Sequence, residues 1–114
     1  MYTTALPAET ELDNVLRTVL PRLVAALHPE RIILFGSHAE GHATADSDVD
    51  LLVITARPVS HSQRLARTRG LFRDVRMPVQ VLTLSRQQFE RTRDIIGGIA
   101  YPAGRYGRIV YERA

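Results

Sequence analysis

The sequence contains no cysteine, no lysine and no tryptophan among its 114 residues. Without cysteine, disulfide bonds and thiolate metal sites are excluded, and we expect a cytoplasmic protein because reducing compartments need no disulfides. No apolar run approaches the roughly 20 residues of a membrane span. The first residues, MYTTALPAETELD, lack the basic and apolar regions of a secretory signal peptide. We therefore expect no membrane partner.

The charged residues are distributed unevenly, although the net charge is only +3. Residues 1–56 contain eight acidic residues and three arginines, a net charge of −5. Residues 57–114 contain four acidic residues and twelve arginines, a net charge of +8. A basic second half suits a phosphate-bearing or acidic partner, and it suits solvated helix faces equally well.

Three short apolar segments predict buried strands at residues 31–35, 49–54 and 79–84. Before them, leucines and valines recur at helical spacing and predict a helix over residues 8–28. Pro21 falls inside this pattern and should kink or split the helix, and Pro29 should close it.

Two further helices are predicted in the second half of the chain. Residues 61–75 form the first, for which Leu65, Phe72 and Val75 are the expected core residues. The second begins at a capping box made by Ser85 and Gln88, continues to about Ile96, and ends at Gly97 and Gly98. The tail, residues 99–114, contains Pro102, Gly104 and Gly107, which should break it, and its residues 108–112 fit either a helix end or an edge strand. The order of elements predicts one α/β domain, residues 1–114, in which helices flank a small mixed sheet.

The segment between the first two strands, GSHAEGHATADSDVD (residues 36–50), has the clearest chemistry. Asp48 and Asp50 are two residues apart and therefore share one face of a strand, whereas Val49 and Leu51 face the other side. Two adjacent carboxylates repel each other, so keeping both ionised requires a cation between them. Oxygen ligands favour Mg²⁺ or Mn²⁺, and Mg²⁺ commonly takes substrate phosphates as its remaining ligands.

The start of the same segment supplies a second phosphate contact. Gly36 allows the backbone to approach a ligand closely. The hydroxyl of Ser37 and the amides that follow can hold a phosphate if a short helix begins there. An Asp-x-Asp pair alone is common. Its combination with Gly-Ser after an apolar strand, and with a second apolar strand behind it, is much rarer and favours a metal–triphosphate site over an ordinary turn.

Gly36-Ser37, ten residues, and then Asp48-Val49-Asp50 resembles the signature of the DNA polymerase beta-like nucleotidyltransferase superfamily. The compact chain is similar to its minimal nucleotidyltransferase subgroup. The resemblance implies that Gly36, Ser37 and Ser47 bind the nucleotide. It also implies that Asp48 and Asp50 are the catalytic metal ligands. Gly41 matches a second glycine that the subgroup often has.

The resemblance also implies an activity and a partner. Members of the superfamily transfer a nucleoside monophosphate from ATP or another nucleoside triphosphate to a hydroxyl group, using two divalent metals, Mg²⁺ or Mn²⁺. Minimal members are often paired with a HEPN-domain toxin as antitoxins, and some modify the toxin with AMP. We therefore expect a nucleoside triphosphate and a HEPN-type protein as partners, in a homo- or hetero-oligomer. No accessory domain for a large acceptor such as tRNA is apparent, so polymer synthesis is not expected. Direct nucleic-acid binding is not expected either.

This chain departs from the family pattern at three positions. His38 and Glu40 stand where the subgroup commonly has arginines, and Glu40 would repel phosphate. The superfamily usually has a third carboxylate on the third strand, where this chain has Gln80. Gln80 adds no charge and cannot act as a base, and Asp74, six residues earlier, does not replace it. Two hypotheses remain, an active nucleotidyltransferase and a degenerate fold that neutralises its partner by contact.

Overall fold

A four-stranded mixed sheet lies at the centre of the computed structural model, which describes residues 8–44 and 46–114. The strands are β1 (Arg31–Phe35), β2 (Val49–Thr55), β3 (Val79–Ser85) and β4 (Arg108–Glu112). The helices are α1 (Ala8–Leu27), α2 (Ser37–Glu40), α3 (His61–Thr68), α4 (Arg86–Thr92) and α5 (Ala100–Tyr106). The strand order is β3-β2-β1-β4; β1 is antiparallel to β2 and β4, and β2 is parallel to β3. The predicted α/β architecture is confirmed.

Apolar side chains cover both faces of the sheet, and β2 shows how they separate. Val49, Leu51 and Val53 belong to the larger core, which packs against α1. Leu52 and Ile54 alternate with them and belong to the smaller core, which packs against α4 and α5. None of the helices in the described parts of the chain has the length and apolar character needed to cross a membrane.

The first helix and the three predicted strands are confirmed, with ends that differ by no more than one residue. Pro21 lies inside α1 and on its exposed side, and α1 continues from Ala8 to Leu27 without a split. The helix ends where His28 adopts a positive φ of 49° and Pro29, which is buried, follows.

The helix predicted over residues 61–75 is wrong in its second half, because α3 ends at Thr68. A capping box between Ser60 and Gln63 begins α3, and Gly70 then takes a positive φ of 67°, which a helix does not allow. Leu65 is not a core residue, since 53% of it is exposed. Phe72 and Val75 do pack against the core beside α1, as predicted, but from the turns that follow α3.

The capping box of Ser85 and Gln88 is confirmed at the start of α4. The helix, however, ends at Thr92 rather than at Ile96, so Gly97 and Gly98 do not terminate it. Ile96 is 79% exposed, so no burial of its side chain stabilises a longer helix.

The tail contains a helix that was not predicted and a strand that was one of two alternatives. Pro102 lies in the first turn of α5, where a missing N–H removes no helical hydrogen bond. Gly104 lies inside α5, where a Cβ would be 3.4 Å from Cζ of Phe89, so its small size suits the close packing of α5 on α4. The expectation that Pro102 and Gly104 interrupt regular structure is wrong, whereas Gly107 directly follows the last residue of α5. Residues 108–112 form β4, an edge strand beside β1.

An ion pair connects α1 to the turns after α3. The guanidinium of Arg22 donates to both carboxylate oxygens of Asp74, at 2.7 and 2.9 Å, and to the carbonyl oxygen of Leu71 at 2.8 Å. The hydrogen bonds from Arg22 lower the pKa of Asp74 from 3.8 to about 2. Because ionised Asp74 is favoured in the folded state, its contribution to stability is present above about pH 4 and is lost as the pH falls toward about 2.

We expect Asp74→Asn to reduce the acid sensitivity of the fold. The variant should be less stable than the natural chain at neutral pH, and the difference should shrink between about pH 4 and about pH 2. Urea unfolding at a series of pH values measures this. Asp94→Asn is the control, because Asp94 is exposed and, among the described residues, has no arginine within 4.0 Å. A pH dependence that is equal in all three proteins would contradict the assignment.

Candidate functional site

The Gly-Ser turn and the carboxylate pair, separated by ten residues in sequence, meet at one end of the sheet. Phe35, the last residue of β1, is the register partner of Asp50 in β2. Gly36 therefore follows directly beside the Asp50 side chain. A Cβ built on Gly36 would overlap Oδ2 of Asp50 and lie 3.3 Å from its Cγ. The turn and the carboxylate are in direct contact.

The backbone of Gly36 also requires glycine. Its φ of 76° and ψ of −156° lie in a region that only glycine enters readily. This conformation begins α2, a single turn in which the amides of Ala39 and Glu40 both donate to the carbonyl oxygen of Gly36, each at 3.1 Å. Ser37 is the first residue of α2, so its amide and the next one have no partner within the helix.

Asp48 and Asp50 lie at the start of β2. Asp48 is exposed directly before β2, and Asp50 is half-buried in β2, on the face that carries Leu52. Burial raises the pKa of Asp50, and the negative charge of Asp48 raises it further, whereas nearby His38 lowers it. Burial and repulsion therefore both oppose the ionised form of Asp50, and a bound cation would relieve both.

Gln80 is the register partner of Asp50 in the parallel strand β3. Because paired residues of neighbouring strands point to the same face, the Gln80 side chain is the neighbour of Asp50 on the face that carries the site. Gln80 is exposed. The position at which the resemblance implies a third carboxylate is thus adjacent to the pair, and it holds an amide.

Ser47 and His38 order the chain that leads to Asp48. The hydroxyl of Ser47 accepts a hydrogen bond from the amide of Thr44 at 2.9 Å, which stabilises a turn. Nε2 of His38 lies 3.4 Å from the carbonyl oxygen of Ser47, the distance of a weak hydrogen bond. No pattern in the sequence gives the position of His38, because α2 is a single helical turn. This turn brings His38 toward Asp50.

The other acidic residues considered from sequence lie outside this cluster. Glu40 is the exposed last residue of α2, where Oε1 is 3.6 Å from Nε2 of His42. Asp74 is held by Arg22 and does not join Asp50 and Gln80.

The residues present fit one divalent cation better than two. Asp48 and Asp50 provide two oxygen ligands, Gln80 provides an uncharged one, and substrate phosphates would complete an Mg²⁺ shell. Within residues 8–44 and 46–114, no cluster of three or more histidine, aspartate or glutamate side chains could hold a metal ion.

Comparisons with known proteins identify the family of the chain and its fold. The family model described as nucleotidyltransferase domain matches residues 15–99. Two mutants of the MntA–HpeT toxin–antitoxin have similar folds. One, with two aspartate-to-glutamate changes, gives 17% identity over 94% of this chain and 75% of that chain (TM-score 0.54). The other, with a tyrosine-to-alanine change, has 19% sequence identity and covers 95% of this chain and 75% of that chain (TM-score 0.53).

A third similar structure is a toxin–antitoxin with AMP-PNP, which gives 18% identity over 94% of this chain and 75% of that chain (TM-score 0.50). At these identities the likeness establishes the fold, which is the polymerase beta-like fold expected from the sequence. No curated protein sequence matches the chain.

We expect Gly36→Ala to destabilise the protein more than Gly41→Ala does. Both glycines have a positive φ, 76° and 82°, but a Cβ on Gly41 meets no atom within 4 Å. A left-handed conformation alone costs alanine about 1–2 kcal/mol, so the excess at Gly36 reports its own backbone conformation and the overlap with Asp50. Urea unfolding of both variants measures it.

A double-mutant cycle separates the cost of the Gly36 backbone conformation from the cost of the overlap with Asp50. Asp50→Ala removes the overlapping carboxylate, so it should recover part of the loss caused by Gly36→Ala. Equal losses in Gly36→Ala and Gly41→Ala, or additive effects in the cycle, would contradict the close contact between Gly36 and Asp50.

Proposed function

Because the chain belongs to the nucleotidyltransferase domain family, we propose that it binds a nucleoside triphosphate with Mg²⁺ or Mn²⁺ and transfers a nucleoside monophosphate to a hydroxyl group. The observation that carries this proposal is the contact between Gly36 and Asp50. It joins a turn with free amides to a carboxylate pair. A triphosphate bridged to a cation requires both.

Each residue of the site has a defined part in the proposal. The Ser37 hydroxyl and the first amides of α2 hold the triphosphate. Asp48 and Asp50 hold the cation. When bound, a divalent cation supplies charge stabilisation to a phosphoryl group under attack. The acceptor oxygen forms a bond to the α-phosphorus, the bond from the α-phosphorus to its bridging oxygen breaks, and pyrophosphate leaves. The acceptor proton passes to solvent, because Gln80 cannot take it.

We further propose that the nucleotide is ATP and that the acceptor belongs to a protein toxin. The fold neighbours are toxin–antitoxins, and one contains AMP-PNP. One neighbour carries two aspartate-to-glutamate changes at positions two residues apart, which is the spacing of Asp48 and Asp50. In this proposal the chain is the antitoxin that adds AMP to a HEPN-type toxin.

A second candidate function is neutralisation by contact alone. The pairing of Asp50 with Gln80 favours it, because the neighbouring strand supplies no third carboxylate. Glu40 favours it too, because it adds negative charge beside the turn that would hold phosphate. The two candidates share nucleotide binding and differ in the rate of transfer.

We expect Asp48→Asn combined with Asp50→Asn to abolish metal-dependent ATP binding. Calorimetric titration of the natural chain should give measurable affinity with Mg²⁺ or Mn²⁺ and much less with EDTA. The variant should also be at least as stable as the natural chain in urea, because it removes a carboxylate that is half-buried and repelled by its neighbour. Asp94→Asn serves as the exposed control. Equal affinity in all these conditions would refute the site.

We expect the natural chain to bind Mg-ATP but to transfer AMP slowly, and Gln80→Asp to speed transfer with little change in ATP affinity. A carboxylate beside Asp50 restores charge and a proton acceptor. A gain of two to three decades corresponds to about 3–4 kcal/mol of transition-state stabilisation. Single-turnover transfer to the partner protein measures it, with Gln80→Asn as the neutral control. If the natural chain is already fast and Gln80→Asp slows it, the role assigned to position 80 is wrong.

A further inference from the structure

The two peptide groups that flank Asp48 are both held by hydrogen bonds. On one side, Nε2 of His38 lies 3.4 Å from the carbonyl oxygen of Ser47. On the other side, the amide of Val49 donates to the carbonyl oxygen of Pro78 at 2.8 Å. The backbone around Asp48 is therefore tied to α2 before it and to the residue that precedes β3 after it.

Asp48 needs this support more than Asp50 does. Asp50 lies within β2 and has register partners in both neighbouring strands, Phe35 and Gln80. Asp48 precedes β2 and is exposed, so neither strand pairing nor burial fixes its own position. Two carboxylates hold one cation only if both stay within ligand distance of it. The geometry of the pair therefore depends on what holds Asp48.

His38 supplies the side-chain part of this support. The bond on the other side of Asp48 joins two backbone groups and does not depend on any side chain. Thr44 and Ser47 bond to each other within the loop, where the Thr44 amide donates to the Ser47 hydroxyl at 2.9 Å. The His38 side chain instead crosses from α2 to the loop. It joins the turn that would hold phosphate to the peptide that carries Asp48.

The carbonyl partner determines which nitrogen of the His38 ring is protonated. A carbonyl oxygen can only accept, so Nε2 must carry the hydrogen of this bond. At 3.4 Å the bond is long, as hydrogen bonds in unliganded sites often are before the ligand binds. The ring also lies near enough to Asp50 to lower the pKa of that carboxyl. His38 is thus close to both members of the carboxylate pair.

Two other roles for His38 lead to different expectations. A positive charge on the ring would offset the repulsion between Asp48 and Asp50, but it would also compete with a bound cation. Removing such a ring would strengthen metal binding. A ring that touched the triphosphate would affect nucleotide binding and not the binding of a metal ion alone. A ring that holds the Ser47 carbonyl, by contrast, supports metal binding even without nucleotide.

We propose that His38 is a positioning residue, which holds the peptide between Ser47 and Asp48 through Nε2 and so keeps Asp48 beside Asp50 for a divalent cation. This role rests on the proposed function for the presence of a cation. It differs from a phosphate contact because it acts through Asp48.

The test is titration with Mn²⁺ alone at a fixed neutral pH, followed by electron paramagnetic resonance. His38→Ala should weaken Mn²⁺ binding about three- to tenfold, because it removes one hydrogen bond that orients a ligand. His38→Gln should keep most of the affinity, because its amide nitrogen is a donor at nearly the same reach as Nε2. The shorter side chain of His38→Asn should not restore it.

The matched control is His42→Ala. His42 is exposed in the same loop, and its Nε2 lies 3.6 Å from Oε1 of Glu40. The control should bind Mn²⁺ like the natural chain. An equal loss in His42→Ala, unchanged or tighter binding in His38→Ala, or a failure of His38→Gln to restore the affinity would each overturn the positioning role.

ATP titration separates the positioning role from the proposed function. If the natural chain binds Mn²⁺ and His38→Ala binds it less well, the positioning role is supported whether or not ATP binds. If the natural chain binds Mn-ATP but all His38 variants bind Mn²⁺ equally, the proposed function stands and the positioning role fails. If the natural chain binds neither Mn²⁺ nor Mn-ATP, both fail.

Discussion

The antiparallel pairing of β1 with β2 is the constraint on which the site depends. Its register sets Phe35 opposite Asp50, so the turn after β1 must pass the Asp50 side chain. Only a residue without a side chain fits there, in a conformation that only glycine adopts readily. The register therefore requires glycine at position 36, and the backbone conformation of Gly36 sets the direction in which α2 begins.

The same register places a carboxylate where folding does not favour it. Asp50 stands in β2 among buried apolar residues, and both burial and the charge of Asp48 raise its pKa. A neutral residue of similar size at this position would stabilise the fold, which is the usual relation between stability and function at a binding site. The fold tolerates this loss of stability because neither Asp48 nor Asp50 belongs to the two apolar cores on the faces of the sheet.

The sequence predicted the elements whose patterns are local and missed those decided by packing. The three strands, α1 and the capping box at Ser85 follow from runs and spacings within a few residues. The end of α3 does not, because Leu65 has the right spacing for a core residue but no core to enter. Likewise α5 contains Pro102 and Gly104, and only its packing against Phe89 in α4 makes a helix there favourable.

For the site, the spacing of Gly36, Ser37, Asp48 and Asp50 was sufficient to predict a shared location, because two short strands joined by a loop bring their near ends together. The place of Gln80 depended on the strand pairing, and the parallel register of β3 puts it beside Asp50 as expected. The position of His38 could not be predicted, since it depends on a one-turn helix that has no sequence pattern of its own.

Gln80 separates the two functions proposed for the site. It is the register partner of Asp50 and lies on the same face of the sheet, but it is uncharged and cannot accept a proton. Nucleotide binding would depend on the Gly36 turn and on Asp50, which are in contact. Transfer would depend in addition on a group that stabilises or accepts what the acceptor hydroxyl loses. An amide at position 80 can therefore weaken transfer while it leaves binding in place.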